Sequence, residues 1–239
     1  YALEELVRVL RNTFAMSFLG ILTSPLPMLF AVFLGEITCL PFRKGVQTLT
    51  TIPNFISWVL VYSVAYAMFS VNDGFVNRLL VNAGIITEGI NFLASDKHVW
   101  LTMLGYSTWK GLGWSAIMYI ACMAGIDGEQ YEAAKVDGAN RMQRIRYITI
   151  PGLLPTYFVL LILSIANLIN NGMEQYFVFQ NAMNKASIEV LDLYVYNQGM
   201  AGVNYSYATA VSMLKSVVSV TLLLFANRLS KLVRGESVF

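Results

Sequence analysis

The chain has 239 residues, of which 13% are charged and 56% are hydrophobic, and its formal net charge at pH 7 is +2. Soluble domains carry about 25% charged residues, so this chain has too little polar surface for a water-soluble fold, and its mean hydropathy of +0.58 agrees. The small net charge and the absence of a basic run argue against nucleic-acid binding, and two isolated cysteines argue against a disulfide scaffold or a zinc site.

The hydrophobic segments predict membrane-spanning helices, each of which needs roughly 20 apolar residues. Five segments approach this length with at most one charged residue each, and their connections are rich in Gly, Asn and charge. We therefore predict an all-α polytopic membrane protein whose visible spans cover residues 14–34, 52–70, 99–125, 153–170 and 207–227. Pro25 and Pro27 predict a kink or local unwinding in the first span, which either faces a cavity or serves packing.

The distribution of Lys and Arg predicts the orientation. Nine of these residues lie in the connections after the first, third and fifth spans, and five lie in the connections on the opposite side. Because the more positive side is usually cytoplasmic, we expect a cytoplasmic C-terminus and place residue 1 outside. The first residues do not resemble a signal peptide, so we expect a further span upstream and a six-span protein.

Residues 128–151 form a polar cytoplasmic connection with a regular pattern. Residues 129–135 favour a short helix, with acidic side chains at the end where the helix dipole favours them. Gly138 is suited to end this helix by adopting a positive φ. A second short amphipathic segment follows, with Ile145 and Ile148 on one face.

Small residues cluster at the predicted corner of this connection. They are Ala133, Ala134, Gly138 and Ala139, and they are flanked by Glu132, Asp137 and Arg141. So little side chain allows another backbone to approach closely, which predicts a docking surface for a partner protein. The alternative is an ordinary interfacial helix-turn-helix connection whose small residues reflect helix propensity.

The same residues carry a family resemblance. The series Glu132-Ala133-Ala134, Asp137-Gly138-Ala139, Ile148 and Pro151 closely resembles the EAA motif of ABC importer permeases of the binding-protein-dependent (MetI-like) type. Ile145 and Ile150 stand where the family often has Phe and Leu, and both keep the apolar character. The resemblance extends over the whole chain. Within the family the chain is similar to the carbohydrate branch, and most similar to Gram-positive polygalacturonan- and aldouronate-type oligosaccharide permeases.

The resemblance implies a transport function. It implies a multi-pass permease subunit of the bacterial plasma membrane that forms the translocation path for a sugar or oligosaccharide. The EAA loop would be a coupling helix that docks on a separate ATPase through Glu132, Ala133, Ala134, Asp137, Gly138, Ala139 and Arg141. The implied partners are two ATPase subunits, an extracytoplasmic solute-binding protein and a second homologous permease, which in this branch is commonly a different chain.

The chain itself is expected to bind no cofactor and to be no enzyme. It has no Gly-rich phosphate loop followed by Lys-Ser/Thr, so ATP and magnesium would be bound by the partner ATPase. No catalytic or metal-binding group is predicted, and His98 has no companion at ligand spacing.

Polar side chains within apolar spans are costly and usually face a cavity or a partner. The candidates for the translocation path are Tyr106, Trp109, Lys110, Asn167, Asn170, Glu174 and Lys215. Lys110 has the alternative of reaching the membrane interface, whereas Lys215 is too far from either end and is expected to have a buried partner or to face the path. Asn167, Asn170 and Glu174 would share one helical face if the helix continues that far, and otherwise mark a hydrated helix end.

Other classes of membrane protein fit the sequence less well. An ion-coupled secondary carrier, the main alternative, typically shows internal repeats and ion-binding polar groups near the midplane, and neither is visible. An intramembrane enzyme would need clustered His, Asp or Glu within a span. A helical scaffold has no use for a small-residue docking corner.

Overall fold

The computed structural model describes residues 2–234, and 77% of it is helical with no strand in the described part. This confirms the predicted all-α class. The chain divides into two compact units, of which the first contains Tyr1–Phe18, Ile56–Gly105 and Leu168–Ser219, and the second contains Leu19–Phe55, Tyr106–Asn167 and Val220–Phe239.

The helices follow one another mostly with short connections, and the connection of residues 83–98 is longer. The α-helices of the described residues are α1 (Ala2–Leu22), α2 (Pro25–Gly35), α3 (Leu40–Thr51), α4 (Trp58–Phe69), α5 (Phe75–Asn82), α6 (Val99–Ala124), α7 (Gly128–Val136), α8 (Arg141–Arg144), α9 (Ile150–Ala166), α10 (Glu174–Phe179), α11 (Lys185–Ile188), α12 (Leu191–Tyr196) and α13 (Tyr205–Arg234). A 3₁₀ turn covers Ile52–Phe55, and π-helical turns cover Ile145–Thr149 and Asn197–Ala201.

The predicted interruption of the first span lies at Thr23 and Ser24, between α1 and α2. Pro25 is the first residue of α2, a position where its missing N–H costs nothing. The Ser24 hydroxyl lies 3.2 Å from the Tyr157 hydroxyl of α9. The break is thus held by a polar contact from a neighbouring helix.

Within residues 2–234, three helical segments are long and apolar enough to cross a membrane, namely Glu4–Gly35, Arg141–Ala166 and Tyr205–Arg228. A fourth is obtained if Leu40–Phe55 and Trp58–Phe69 form one broken span. Helix α6, which covers the predicted third span, has 26 residues but is not among them, because Lys110 and many Gly, Ser, Thr, Tyr and Trp residues lower its hydropathy. The count of five visible spans and its boundaries stay predictions.

Two buried polar residues of α1 organise the first unit. The Asn12 side chain is fully buried and donates from Nδ2 to the carbonyl oxygens of Ala186 (2.9 Å) and Glu189 (3.1 Å). The Thr13 hydroxyl, also fully buried, accepts the backbone N–H of Leu191 at 2.8 Å. These bonds satisfy backbone groups at the ends of two short helices, α11 and α12, and so fix both against α1.

The second unit packs around one apolar cluster. Its buried members come from α2, α6, the π-helical turn Ile145–Thr149 and the start of α9. They are Met28, Ala31, Val32, Ala116, Tyr119, Ile145 and Leu153. Small alanines at the contacts let the helix backbones approach closely, which is how helices associate where lipid removes the usual hydrophobic driving force.

Gly113 of α6 marks the closest of the approaches within this unit. A Cβ atom at this position would lie 2.2 Å from the Thr50 carbonyl oxygen at the end of α3. Backbone atoms cannot move aside as a flexible side chain can, so only glycine fits here. By contrast, a Cβ atom at Gly111, one half-turn away, would meet no atom within 4 Å.

We expect Gly113→Ala to destabilise the protein and Gly111→Ala to leave its stability equal or higher. Overpacking costs about 1–3 kcal/mol, whereas replacing an unconstrained helical glycine by alanine gains about 0.5–1 kcal/mol. Thermal unfolding of both variants in detergent measures the difference. Equal melting temperatures would contradict the close contact between α6 and α3.

Candidate functional site

The connection that carries the EAA-like series folds into two short helices with a tight corner. Helix α7 begins after Asp127, whose Oδ1 accepts the backbone N–H of Glu129 at 3.0 Å. It ends because Gly138 has φ +76°, which lets the N–H of Ala139 bond to the carbonyl oxygen of Ala134 at 2.8 Å. The predicted helix and its glycine stop are both present.

The second helix of the corner is short but fully capped. The Asn140 side chain accepts the N–H of Gln143 at 2.9 Å, and the Gln143 side chain accepts the N–H of Asn140 at 2.7 Å. This reciprocal capping box satisfies two otherwise orphaned donors. The chain then passes through the π-helical turn Ile145–Thr149 directly into α9.

The residues of the EAA-like series lie on the surface of the corner. Glu132, Ala133, Asp137 and Gly138 are exposed, and Ala134 and Ala139 are half-buried. Val136, which the sequence analysis did not single out, is 88% exposed. An apolar side chain so fully exposed beside small residues gives the corner an apolar, low-relief surface. Its position within the motif was the only sequence signal for it.

Arg141 differs from the other members of the series because it faces its own chain. Its Nε donates to Oε2 of Glu36, and its Nη2 donates to the Glu36 carbonyl oxygen. Glu36 follows directly after α2. Glu36 could not be predicted from the sequence, since a single acidic residue 105 positions away gives no local signal.

A second contact ties α7 to α9. The Tyr131 hydroxyl lies 2.9 Å from the hydroxyl of Thr149, which is buried at the end of the π-helical turn. Tyr131 and Thr149 were not predicted as functional residues. Besides the peptide chain, two side-chain contacts therefore attach this connection to the rest of the second unit, namely Arg141 with Glu36 and Tyr131 with Thr149.

Lys110 is placed at a break in the backbone of a neighbouring segment. Its Nζ donates to the carbonyl oxygens of Pro53 (3.1 Å) and Asn54 (2.7 Å) in the 3₁₀ turn Ile52–Phe55. Beside it, Tyr106 is half-buried and Trp109 is half-exposed, and the part of all three in a translocation path stays a prediction.

Lys215 has the buried partner that the sequence suggested. Its Nζ pairs with Oδ1 of Asp192, and the two side chains are only 16% and 18% exposed. The other oxygen of Asp192 accepts the backbone N–H of Gly172 at 2.9 Å. The carboxylate thus joins α12, α13 and the connection before α10.

The three polar residues after the fourth predicted span do not share a helix. Helix α9 ends at Ala166, and Glu174 opens the separate helix α10, so the helix does not continue far enough for Asn167, Asn170 and Glu174 to share one face. Asn167 donates to the Leu163 carbonyl oxygen in its own last turn, whereas Asn170 donates to the hydroxyl of the distant Ser219 in α13 at 3.1 Å.

No metal centre is formed by residues 2–234. That part of the chain contains no group of three or more His, Cys, Asp or Glu side chains that could hold a metal ion. Cys39 is exposed and Cys122 is half-buried, and both are free thiols.

Comparisons with known proteins agree on one family. The protein-family model described as binding-protein-dependent transport system inner membrane component matches residues 13–235. Two Bacillus subtilis (strain 168) relatives are the protein LplB, 36% identical over 98% of this chain and 74% of LplB, and the polygalacturonan/rhamnogalacturonan transport system permease protein YteP, 37% identical over 97% of this chain and 72% of YteP. A chain in the crystal structure of a bacterial alginate ABC transporter, in complex with an alginate pentasaccharide-bound periplasmic protein, superimposes with a TM-score of 0.92 at 32% identity, over 98% of this chain and 81% of that chain.

We expect the loss of either Lys215 or Asp192 alone to destabilise the protein more than the replacement of both residues. Removing one partner of a buried ion pair leaves an unpaired charge and costs about 3–5 kcal/mol, whereas replacing both by neutral groups is far milder. Unfolding in detergent of Lys215→Met, Asp192→Asn and the double variant gives the coupling energy. Additive effects of the two substitutions would show that the pair does not bind as described.

Proposed function

This chain belongs to the family of binding-protein-dependent transport system inner membrane components, and we propose that it is coupled to a separate ATPase through the corner formed by α7 and α8. As a member, it is a membrane permease subunit of an ABC importer and not an enzyme, and such subunits bind no cofactor themselves. The importers of this family work with a binding protein, as the family description says.

The exposed corner is the observation that supports the coupling role. Within it, Glu132, Ala133, Asp137 and Gly138 are accessible, and Val136 offers an apolar side chain that its own fold leaves uncovered. Interfaces bury such apolar residues at their centre and surround them with polar groups. We assign the ATPase contact to Glu132, Ala133, Ala134, Asp137, Gly138 and Ala139, with Arg141 at its edge.

The corner is held in shape by its own hydrogen bonds. Its helix ends are capped by Asp127, Gly138 and the Asn140–Gln143 capping box, and Tyr131 fixes it to Thr149. A preformed surface loses little conformational entropy when it binds. Such a surface transmits the closure of an ATPase dimer as a displacement of the whole corner.

The proposed substrate is an oligosaccharide. YteP is described as a polygalacturonan/rhamnogalacturonan permease, and the solved relative is an alginate transporter. Tyr106, Trp109, Lys110, Asn170, Glu174 and Lys215 remain the proposed polar contacts of its path, with Asn167 at the end of α9. The proposed assembly has a second permease chain, two ATPase subunits and an extracytoplasmic solute-binding protein.

The proposed topology places the corner and the C-terminus in the cytoplasm, because nine of the Lys and Arg residues outside the spans lie on that side against five on the other. Segments near Asn72 are then external, and Cys39 is cytoplasmic.

We expect Ala133→Trp to abolish coupling. A large indole on the low-relief surface prevents close contact with the ATPase and weakens binding by about tenfold or more, the equivalent of roughly 1.4 kcal/mol. Uptake of labelled galacturonan and alginate oligosaccharides, ATP hydrolysis and co-purification of the ATPase are measured in the reconstituted complex.

The matched control is Ala83→Trp, which adds the same side chain at an exposed alanine far along the chain from the corner. Uptake that survives Ala133→Trp, or uptake that follows an ion gradient without ATP, would contradict the proposal and favour the ion-coupled carrier.

A cysteine-labelling experiment tests the topology. In a Cys122→Ala background, a membrane-impermeant maleimide should label Cys39, which is exposed, only after the cells are permeabilised. Asn72→Cys, with Cys39 also replaced by Ala, should be labelled in intact cells because Asn72 is exposed in the connection after α4. The reverse pattern would invert the proposed orientation.

A further inference from the structure

We propose that Glu36 and Arg141 form the link through which a displacement of the corner moves α2, so that Glu36 is a positioning residue for transport. The inference rests on the proposed coupling function and deepens it. It gives the ATPase-driven movement a defined route from the corner into a helix of the membrane domain.

Arg141 holds Glu36 through two separate hydrogen bonds. Its guanidinium binds both the carboxylate and the backbone carbonyl oxygen of Glu36. A planar guanidinium can hold two acceptors in fixed geometry, whereas a lysine ammonium is a single point charge. The carbonyl of Glu36 also lies at the negative end of the α2 dipole, where a cation is favoured.

Both ends of the link are firmly attached to their helices. The N–H of Glu36 bonds to the carbonyl oxygens of Val32 and Phe33, each at 3.2 Å, at the end of α2. Arg141 is the first residue of α8 and follows directly after the capping-box residue Asn140. No flexible connection therefore separates the corner from α2.

The link contributes little to folding stability. The Arg141 side chain is 59% exposed and that of Glu36 is 30% exposed, and solvent-exposed ion pairs add little to the free energy of unfolding. The apolar cluster that includes Val32, Ala116 and Leu153 holds α2 in place without it. A change in transport after its removal thus reports on the transmission of movement.

Helix α2 is built to move as one piece. It has 11 residues, it is separated from α1 by the break at Thr23 and Ser24, and the contact of Ser24 with Tyr157 holds its first turn. Arg141 grips the opposite end. A displacement of the corner therefore acts directly on the last turn of α2.

The corner has a separate attachment that does not involve α2. Tyr131 contacts Thr149 at the start of α9, and α8 continues through the π-helical turn into the same helix. Without the Glu36–Arg141 link the corner keeps its shape and still docks. Movement then reaches α2 only through the apolar cluster that it shares with α9, so ATP is hydrolysed with less efficient transport.

The experiment compares Glu36→Gln with wild type in the reconstituted complex. We expect the number of ATP molecules hydrolysed per oligosaccharide imported to rise severalfold, because hydrolysis continues while less of the movement reaches α2. Co-purification of the ATPase should be unchanged. Glu88→Gln makes the same chemical change at an exposed external position and serves as the control.

A charge exchange, Glu36→Arg with Arg141→Glu, isolates the pair in a double-mutant cycle. It should restore part of the coupling, because it restores the ion pair but not the bond to the carbonyl oxygen. An unchanged ATP-to-sugar ratio in Glu36→Gln overturns the inference. So does loss of the ATPase, which would place Glu36 in the docking contact, and so does loss of the folded complex on size exclusion, which would make the pair purely structural.

The two proposals fail in different ways. If uptake by the wild-type complex does not depend on ATP, the proposed function is wrong. If uptake depends on ATP and Ala133→Trp abolishes it while Glu36→Gln behaves as wild type, only the link is wrong.

Discussion

Backbone groups that leave the regular helix need partners in apolar surroundings, and this constraint shapes the second unit. A membrane provides no water for exposed carbonyl oxygens, so each break in a helix has to be satisfied from a neighbouring element. Lys110 performs this role at the 3₁₀ turn Ile52–Phe55 by donating to two carbonyl oxygens. Gly113, one turn further along α6, allows the close approach on which that contact depends.

The corner of α7 and α8 differs from these helix breaks, because it has to be ordered while it stays exposed. Its order comes from hydrogen bonds between neighbouring residues, such as the capping box of Asn140 and Gln143 and the αL stop at Gly138. A core that buried these residues would remove the surface that a partner needs. The corner and the apolar cluster therefore carry separate tasks, and the contacts of Arg141 and Tyr131 connect them.

The charged residues within the predicted spans show that polarity alone does not identify a functional residue. Lys110 and Lys215 stand out in the sequence because they interrupt apolar segments, and both have structural partners, the carbonyl oxygens of a helix break and the Asp192 carboxylate. A buried lysine thus serves the fold whether or not a sugar passes beside it. The importer function follows from the family of the chain, and not from these residues, because a fold or a charge by itself does not identify a substrate.

The sequence by itself determined the features that depend on neighbouring residues. Composition and hydrophobic length gave an all-α membrane protein, Pro25 gave the break before α2, and Gly138 gave the end of α7, because backbone preference and periodicity act within a few positions. Tertiary structure decided what depends on residues distant in the chain. The pairing of Glu36 with Arg141, the carbonyl partners of Lys110 and the end of α9 before Glu174 depend on which helices pack together, and no local pattern records that choice.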